Sequence, residues 1–124
     1  MKTNMIEAQE TFQNSDYYRA LNLFQQEISD HPENLDAYYG AARCLFRLKR
    51  FSDAVDMADR MIGLEPNNAI AHVVKAGVYE RLKEIQKCNG EIELAYAMEP
   101  TNPIVQNAER MAQAAGLIAP RWGR

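Results

Sequence analysis

Three prolines divide this chain at a constant interval: Pro32, Pro66 and Pro100 stand 34 residues apart, and each is followed two places on by an asparagine, Asn34, Asn68 and Asn102. A fixed period of that length marks supersecondary units stacked one upon the next rather than a closed single core. Proline ends a helix because it has no N–H to donate, and asparagine starts one by accepting from the orphan N–H groups of the first turn. The Pro-x-Asn step therefore predicts three helix starts in phase. At the third, Pro103 takes a favourable first helical position.

Between these marks the apolar residues recur at three- and four-residue steps, the period of a helix with one buried face. From the cap pair Ser15-Asp16, residues Tyr17, Ala20, Leu21, Phe24 and Ile28 run to the stop at His31-Pro32. After Asn34 come Tyr38, Ala41, Ala42, Leu45 and Leu48, then a break at Lys49-Arg50-Phe51-Ser52, then Ala54, Val55, Ala58, Met61 and Ile62. The layout repeats after Asn68 with Ala76, Tyr79 and Leu82, followed by Ile85, Cys88, Ile92, Ala95 and Met98. Gly90 inside that last run should cost its helix about 1 kcal/mol relative to alanine. A helix from Pro103 to about Ala115 carries Ile104, Ala108, Met111 and Ala112, and Gly116 is suited to ending it. The opening segment, Lys2 to Gln13, has Met5, Ala8 and Phe12 at helical spacing and is otherwise polar. Seven helices and no strands are expected, an all-α chain.

The chain has 124 residues, 47% of them hydrophobic and 25% charged, the proportions of an ordinary folded domain. A formal charge of −3 supplies no general attraction to a phosphate backbone, so nucleic acid is not an expected partner. No apolar run approaches a membrane span and the N-terminus has no apolar signal core, which leads to a cytoplasmic expectation without membrane insertion. Cys44 and Cys88 form no C-x-x-C pair, lie within apolar helical patterns, and read as reduced core thiols.

The phase, together with Tyr38-x2-Ala41-Ala42-x2-Leu45, Ala54-x3-Ala58 and Pro66, then Ala76-x2-Tyr79, Cys88-x3-Ile92 and Pro100, resembles the tetratricopeptide repeat. The resemblance covers about residues 1–102. It implies an α-solenoid of three helix-turn-helix repeats, at about 1–34, 35–68 and 69–102, with a capping helix over 103–115. These form one domain over 1–116, and residues 117–124 follow as a tail. Small residues (Ala20, Ala42, Ala54, Ala76, Ala95) would let helices approach, while Tyr17, Phe24, Tyr38, Leu45, Phe51 and Tyr79 fill the space around them. The first unit departs from the pattern with Asn4, Glu7 and Thr11 where large apolar residues are usual, so its first helix is expected either to fray or to act as a polar end cap.

What the resemblance implies about function is a non-enzymatic adaptor, chaperone-like factor or assembly factor. Such a module binds a peptide or helix of another protein in a concave groove lined by the first helix of each unit. On this chain the groove positions are Met5, Gln9, Phe12 and Gln13, then Tyr39, Arg43, Phe46 and Arg47, then Ile70, Val73, Val74, Gly77 and Arg81, with Asn107 and Met111 from the last helix. Aromatic and arginine residues are frequent binding anchors, so an acidic, partly apolar segment is the expected ligand. The lysine–asparagine clamp with which some family members grip a C-terminal carboxylate is missing, since its places hold Met5, Gln9, Gly40, Ile70 and Val74. Trp122, flanked by Arg121 and Arg124, is a further candidate anchor in the tail. The alternative is a self-associating scaffold that uses the array end and Trp122 to build a homo-oligomer.

Catalytic motifs are absent: there is no G-x-x-x-x-G-K, H-E-x-x-H, G-x-S-x-G or G-x-G-x-x-G. His31 and His72 have no metal-ligand spacing to either cysteine, so no metal or cofactor is expected. Asp53, Asp56 and Asp59, and Glu91 with Glu93, read as solvated helix faces.

Overall fold

The computed structural model describes residues 3–117, which among them form seven helices and no strand. The chain divides into two compact units at the second proline, one ending at Pro66 and the other beginning at Asn67. The first holds α1 (Asn4–Gln13), α2 (Tyr17–Asp30), α3 (Leu35–Arg47) and α4 (Phe51–Leu64); the second holds α5 (Ala69–Arg81), α6 (Ile85–Met98) and α7 (Pro103–Ala114).

The asparagines act as the sequence leads one to expect. Asn34 Oδ1 accepts from Asp36 N at 3.2 Å, Asn68 Oδ1 from Ala71 N at 3.0 Å, and Asn102 Oδ1 from Ile104 N at 2.9 Å. Thr3 and Asp16 cap α1 and α2 in the same way, at 3.2 and 3.3 Å. The prolines contribute through their carbonyls as well. Tyr38 OH donates to Pro32 O at 2.6 Å, and Gln106, two repeats on, donates from Nε2 to Pro100 O at 3.2 Å.

A second ruler lies halfway between the prolines. Ser15, Lys49 and Lys83, again 34 residues apart, adopt positive φ values of 65°, 61° and 62°. Each closes a helix in a Schellman motif, in which two N–H groups fold back onto carbonyls of the last turn. The paired bonds are Ser15 N to Phe12 O with Asp16 N to Thr11 O, and Lys49 N to Phe46 O with Arg50 N to Leu45 O. In the second unit they are Lys83 N to Glu80 O with Glu84 N to Tyr79 O. The helix α7 ends likewise, through Gly116 N to Gln113 O and Leu117 N to Ala112 O, and here the left-handed residue is a glycine at φ 77°. This device makes each intra-repeat turn short: α2, α4 and α6 restart at the second residue beyond it.

In the first unit the small residues expected at helix contacts, Ala20, Ala42 and Ala54, are completely buried, and Phe24, Tyr38 and Leu45 are nearly so. The helix α1 packs on α2 as a full partner. Its polar residues are satisfied: Thr11 is buried with its hydroxyl donating to Glu7 O at 2.7 Å, and Glu7 forms an exposed ion pair with Arg19 of α2 at 2.9 Å. In the second unit two small clusters carry the core. One joins Ala76, Cys88, Ile92 and Ala112, with Tyr79 and Leu117 against it; the other joins Ala69, Ala95 and Val105, with Val73, Tyr96 and Met98 against it. Gly90 is exposed and has open space around it.

Candidate functional site

A cavity of about 440 Å³ opens in the first unit between α1 and α3, with α2 as its floor. It exists because α1 and α3, the first helices of consecutive repeats, flank α2 without closing over it. Gln9, Phe12 and Gln13 come from α1, Ser15 from the turn, Tyr17 and Phe24 from α2, and Gly40, Arg43 and Arg47 from α3. Of the residues singled out in the sequence, Gln9, Phe12, Gln13, Arg43 and Arg47 are thus brought together.

Rings and guanidinium groups are layered here. Phe12 and Tyr17 meet edge to face at 5.2 Å. The Arg43 guanidinium lies 4.3 Å from the Phe12 ring centre and 5.5 Å from that of Tyr39; that of Arg47 lies 6.0 Å from Phe12 and 5.9 Å from Tyr17. Both arginines remain exposed, and among the described residues no carboxylate pairs with either one. Arg19 and Arg50 of the same unit are by contrast engaged with Glu7 and Asp53. Stacking occupies the face of a guanidinium and leaves its in-plane N–H donors available.

The other first-unit candidates are placed elsewhere. Tyr39 is half-buried beside Arg43 but does not line the cavity. Phe46, also half-buried, packs edge to face against Phe51 at the start of α4, at 5.6 Å. In the second unit Ile70 and Val74 are half-buried, and Val73 packs against the cluster of Ala69, Ala95 and Val105. Arg81 is exposed and has its own interaction partner, and Met111 is 55% exposed, with Asn107 Nδ2 donating to its sulfur at 3.6 Å. Trp122 lies outside the described residues.

Four cavity residues escaped the sequence reading of the groove: Ser15, read there only as part of a helix cap, Tyr17, Phe24 and Gly40. Tyr17 and Phe24 belong to the core stripe of α2, and nothing in a helical stripe distinguishes a ring that packs inward from one that also floors a cavity. Gly40 carried the one legible sign, a glycine in the middle of a strong helical run.

Outside the cavity, a polar cluster stands in the second unit. Glu91 is a correction to the expectation of a solvated face: its side chain is only 14% exposed, with His72 Nδ1 2.6 Å from Oε2 and Lys75 Nζ 3.5 Å from Oε1. Asp53, Asp56 and Asp59 are exposed as expected. Among the described residues no group of three His, Cys, Asp or Glu side chains converges as a metal site would require. Cys44 and Cys88 are free and buried. Burial pushes the Cys44 thiol up to about 11 and raises that of Cys88, because a thiolate in apolar surroundings loses its hydration. Such thiols are inert at neutral pH.

Comparison with known proteins places this geometry. The chain is 29% identical over 90 residues to the Protein SGT1 homolog of Oryza sativa subsp. japonica, an alignment covering 73% of this chain and 24% of that protein. It spans about a quarter or less of such curated relatives. Among solved structures it superposes on the Yersinia enterocolitica type III secretion chaperone SycD in complex with a peptide of the translocator YopD, with TM-score 0.81 and 14% identity, over 92% of this chain and 90% of that one. It also superposes on the second TPR domain of the human RPAP3 protein in complex with an HSP70 peptide, with TM-score 0.77 and 14% identity, over 90% and 92% of the two chains. At such identities the likeness is one of fold. The profile of the tetratricopeptide repeat matches residues 11–77, more than half of the chain, and its phase is that of the Pro-x-Asn steps and Schellman turns described above; this chain belongs to the tetratricopeptide repeat family.

Proposed function

We propose that this chain is a non-enzymatic protein-interaction module, an adaptor or assembly factor of the cytoplasm that holds a segment of a partner protein against the first helices of its repeats. The observation that carries the reading is the α1–α3 cavity, where Gln9, Phe12, Arg43 and Arg47 converge and two arginines lack an acidic partner among the described residues. Arginine–aromatic layers are suited to anchoring a ligand, since they present apolar area and directed donors together. Solved members of the fold in complex with peptides support the same role. Tyr39, Phe46, Ile70, Val73, Val74, Arg81 and Met111 are proposed as accessory contacts, each from within its own unit. The free, buried thiols fit a reducing compartment.

A photo-crosslinking amino acid at Gln9, which is exposed on the cavity wall, tests the proposal against the same group at Asp56, which is exposed on α4 and away from the cavity. A discrete partner adduct from position 9 and none from position 56 is expected. Equal labelling from both positions, or none from position 9, would mean that the cavity is not the binding site. Self-association through the end of the array is the second reading, favoured by Ile104 and Met111, both substantially exposed on α7 and seven residues apart on one face. Light scattering over a concentration series decides it.

A further inference from the structure

Asn89 is the one asparagine of this chain that a glycine follows, and the pair stands inside α6, where glycine disfavours the helix. An asparagine–glycine step is chemically reactive. The glycine nitrogen can attack the side-chain carbonyl carbon of the asparagine, and no Cβ on the glycine stands in its way. Helical geometry blocks this attack: the Gly90 N–H is engaged with the Gln86 carbonyl, and a helical ψ of about −42° at Asn89 holds the nitrogen away from Cγ. Reaction therefore requires α6 to open through residue 90. The start of that helix is weakly held. Every residue from 81 to 87 is exposed, so no buried side chain anchors α6 before Cys88. Glu84 precedes the helix without a side-chain cap, whereas Asn68 and Asn102 cap α5 and α7 of the same unit. An exposed Lys87–Glu84 pair at 3.4 Å ties the first turn from outside, and such pairs contribute little. Asn89 Oδ1 is sealed from solvent and, among the described residues, accepts no hydrogen bond, so opening restores its hydration. Few buried contacts, a missing cap and an unpaired polar atom all lower the cost of local opening.

We propose that Asn89–Gly90 is a deamidation site gated by the opening of α6, at which the chain modifies itself and thereby weakens its second unit. In the open chain Gly90 N gives up its proton and bonds to Asn89 Cγ. The Cγ–Nδ2 bond breaks, ammonia leaves with that proton, and a succinimide remains. Water then opens the ring at either carbonyl, which gives aspartate or isoaspartate. Isoaspartate routes the main chain through an extra methylene and breaks the helical register, while aspartate places a charge where the amide oxygen was sealed from solvent. Both products stand between Cys88 and Ile92, which build one core cluster with Ala76 and Ala112. The reaction is independent of the role of the cavity in the first unit.

The test incubates the full-length chain at neutral pH and follows residue 89 by peptide mass spectrometry, with isoaspartyl methyltransferase labelling as the second readout. A synthetic peptide covering residues 84–95, too short to hold a helix, supplies the rate of the open chain. The folded chain should react about tenfold more slowly than the peptide or slower still, the ratio being the population of the open helix. Urea well below the unfolding midpoint should accelerate the reaction, because opening exposes surface. Gly90→Ala should slow it about fivefold or more, the population change that follows from the helix preference of alanine over glycine. Modified protein separated by ion exchange should melt below the parent. Reaction in the folded chain at the rate of the peptide, no reaction at residue 89 even in urea, or an unchanged rate in Gly90→Ala would each overturn the proposal. So would a folded-chain rate indifferent to urea, a modified protein as stable as the parent, or isoaspartate labelling that persists undiminished in Asn89→Gln.

Discussion

The ring of Phe24 on α2 occupies the space where a side chain on Gly40 of α3 would begin. A Cβ built there would stand 2.7 Å from Phe24 Cδ1 and closer still to Cε1 and Cζ, well inside van der Waals contact. Phe24 is 3% exposed and Gly40 is buried, so a methyl group at position 40 requires the ring to shift. The close approach of the two helices sets the floor of the cavity.

Two effects compete in Gly40→Ala. Alanine favours the helical backbone over glycine by about 1 kcal/mol, whereas overpacking a tight core contact costs about 1–3 kcal/mol. Because the clash is with a buried ring, the steric effect should win, and urea denaturation should show a net loss of stability. A more stable variant would show that Phe24 is free to move. Gly90→Ala is the internal control, since open space surrounds that glycine and only the helical gain remains.

Lys49 and Lys83 hold a backbone conformation that L-residues adopt at a cost of about 1–2 kcal/mol, partly offset by the flexibility glycine would bring to the unfolded chain. Lys49→Gly and Lys83→Gly should therefore each raise the thermal midpoint, by an amount corresponding to about 0.5–1 kcal/mol. Lys49→Ala should raise it by nothing. A gain from alanine equal to that from glycine would place the origin of the effect in charge rather than in φ.

Glu91 links α6 to α5 through His72 and Lys75 at a largely buried position. Glu91→Ala removes the carboxylate that faces the buried His72 and should destabilise the protein by about 1–3 kcal/mol in chemical denaturation. Gln86→Ala, at an exposed position of the same helix, should fall within about 0.5 kcal/mol of the parent. Equal effects would show that the cluster adds nothing to stability.

Cys44 titrates at about 11 when folded, above its ordinary value of 9.0. Its raised value means that the contribution to stability is complete below pH 9 and is lost as pH rises toward 11, because the unfolded chain releases the proton first. Stability measured across that interval should fall more steeply for the parent than for Cys44→Ala, and the native thiol should resist alkylation at pH 8. Parallel pH profiles would contradict the burial of the thiol as the cause.

The helices were legible in the sequence for a local reason. Pro32, Pro66 and Pro100 stop helices through a missing N–H, Asn34, Asn68 and Asn102 start them through a side-chain acceptor, and the stripes between them need only a period of 3.6 residues. The left-handed residues Ser15, Lys49 and Lys83 were not legible, because two lysines and a serine carry none of the conformational preference that Gly116 displays. Only the closure of the chain onto the preceding turn imposes their φ.

The candidate site divides along the same line. Residues 39, 43, 46 and 47 share one side of α3 by spacing alone, which the sequence determines, and membership of a helical repeat array follows from the 34-residue phase. Which of the four line the cavity depends on what stands opposite. Phe46 meets Phe51, while Arg43 and Arg47 meet Phe12 and Tyr17, residues more than 25 positions away from them in the chain. Likewise Glu91 borders the apolar stripe of α6, three residues from Cys88 and four from Ala95, but only the placement of His72 opposite it on α5 makes it an inward ion-pair partner. Periodicity assigns residues to a face of a helix; the identity of the side chain across the interface, known only once the helices pack, decides whether that face is core, cavity or solvent.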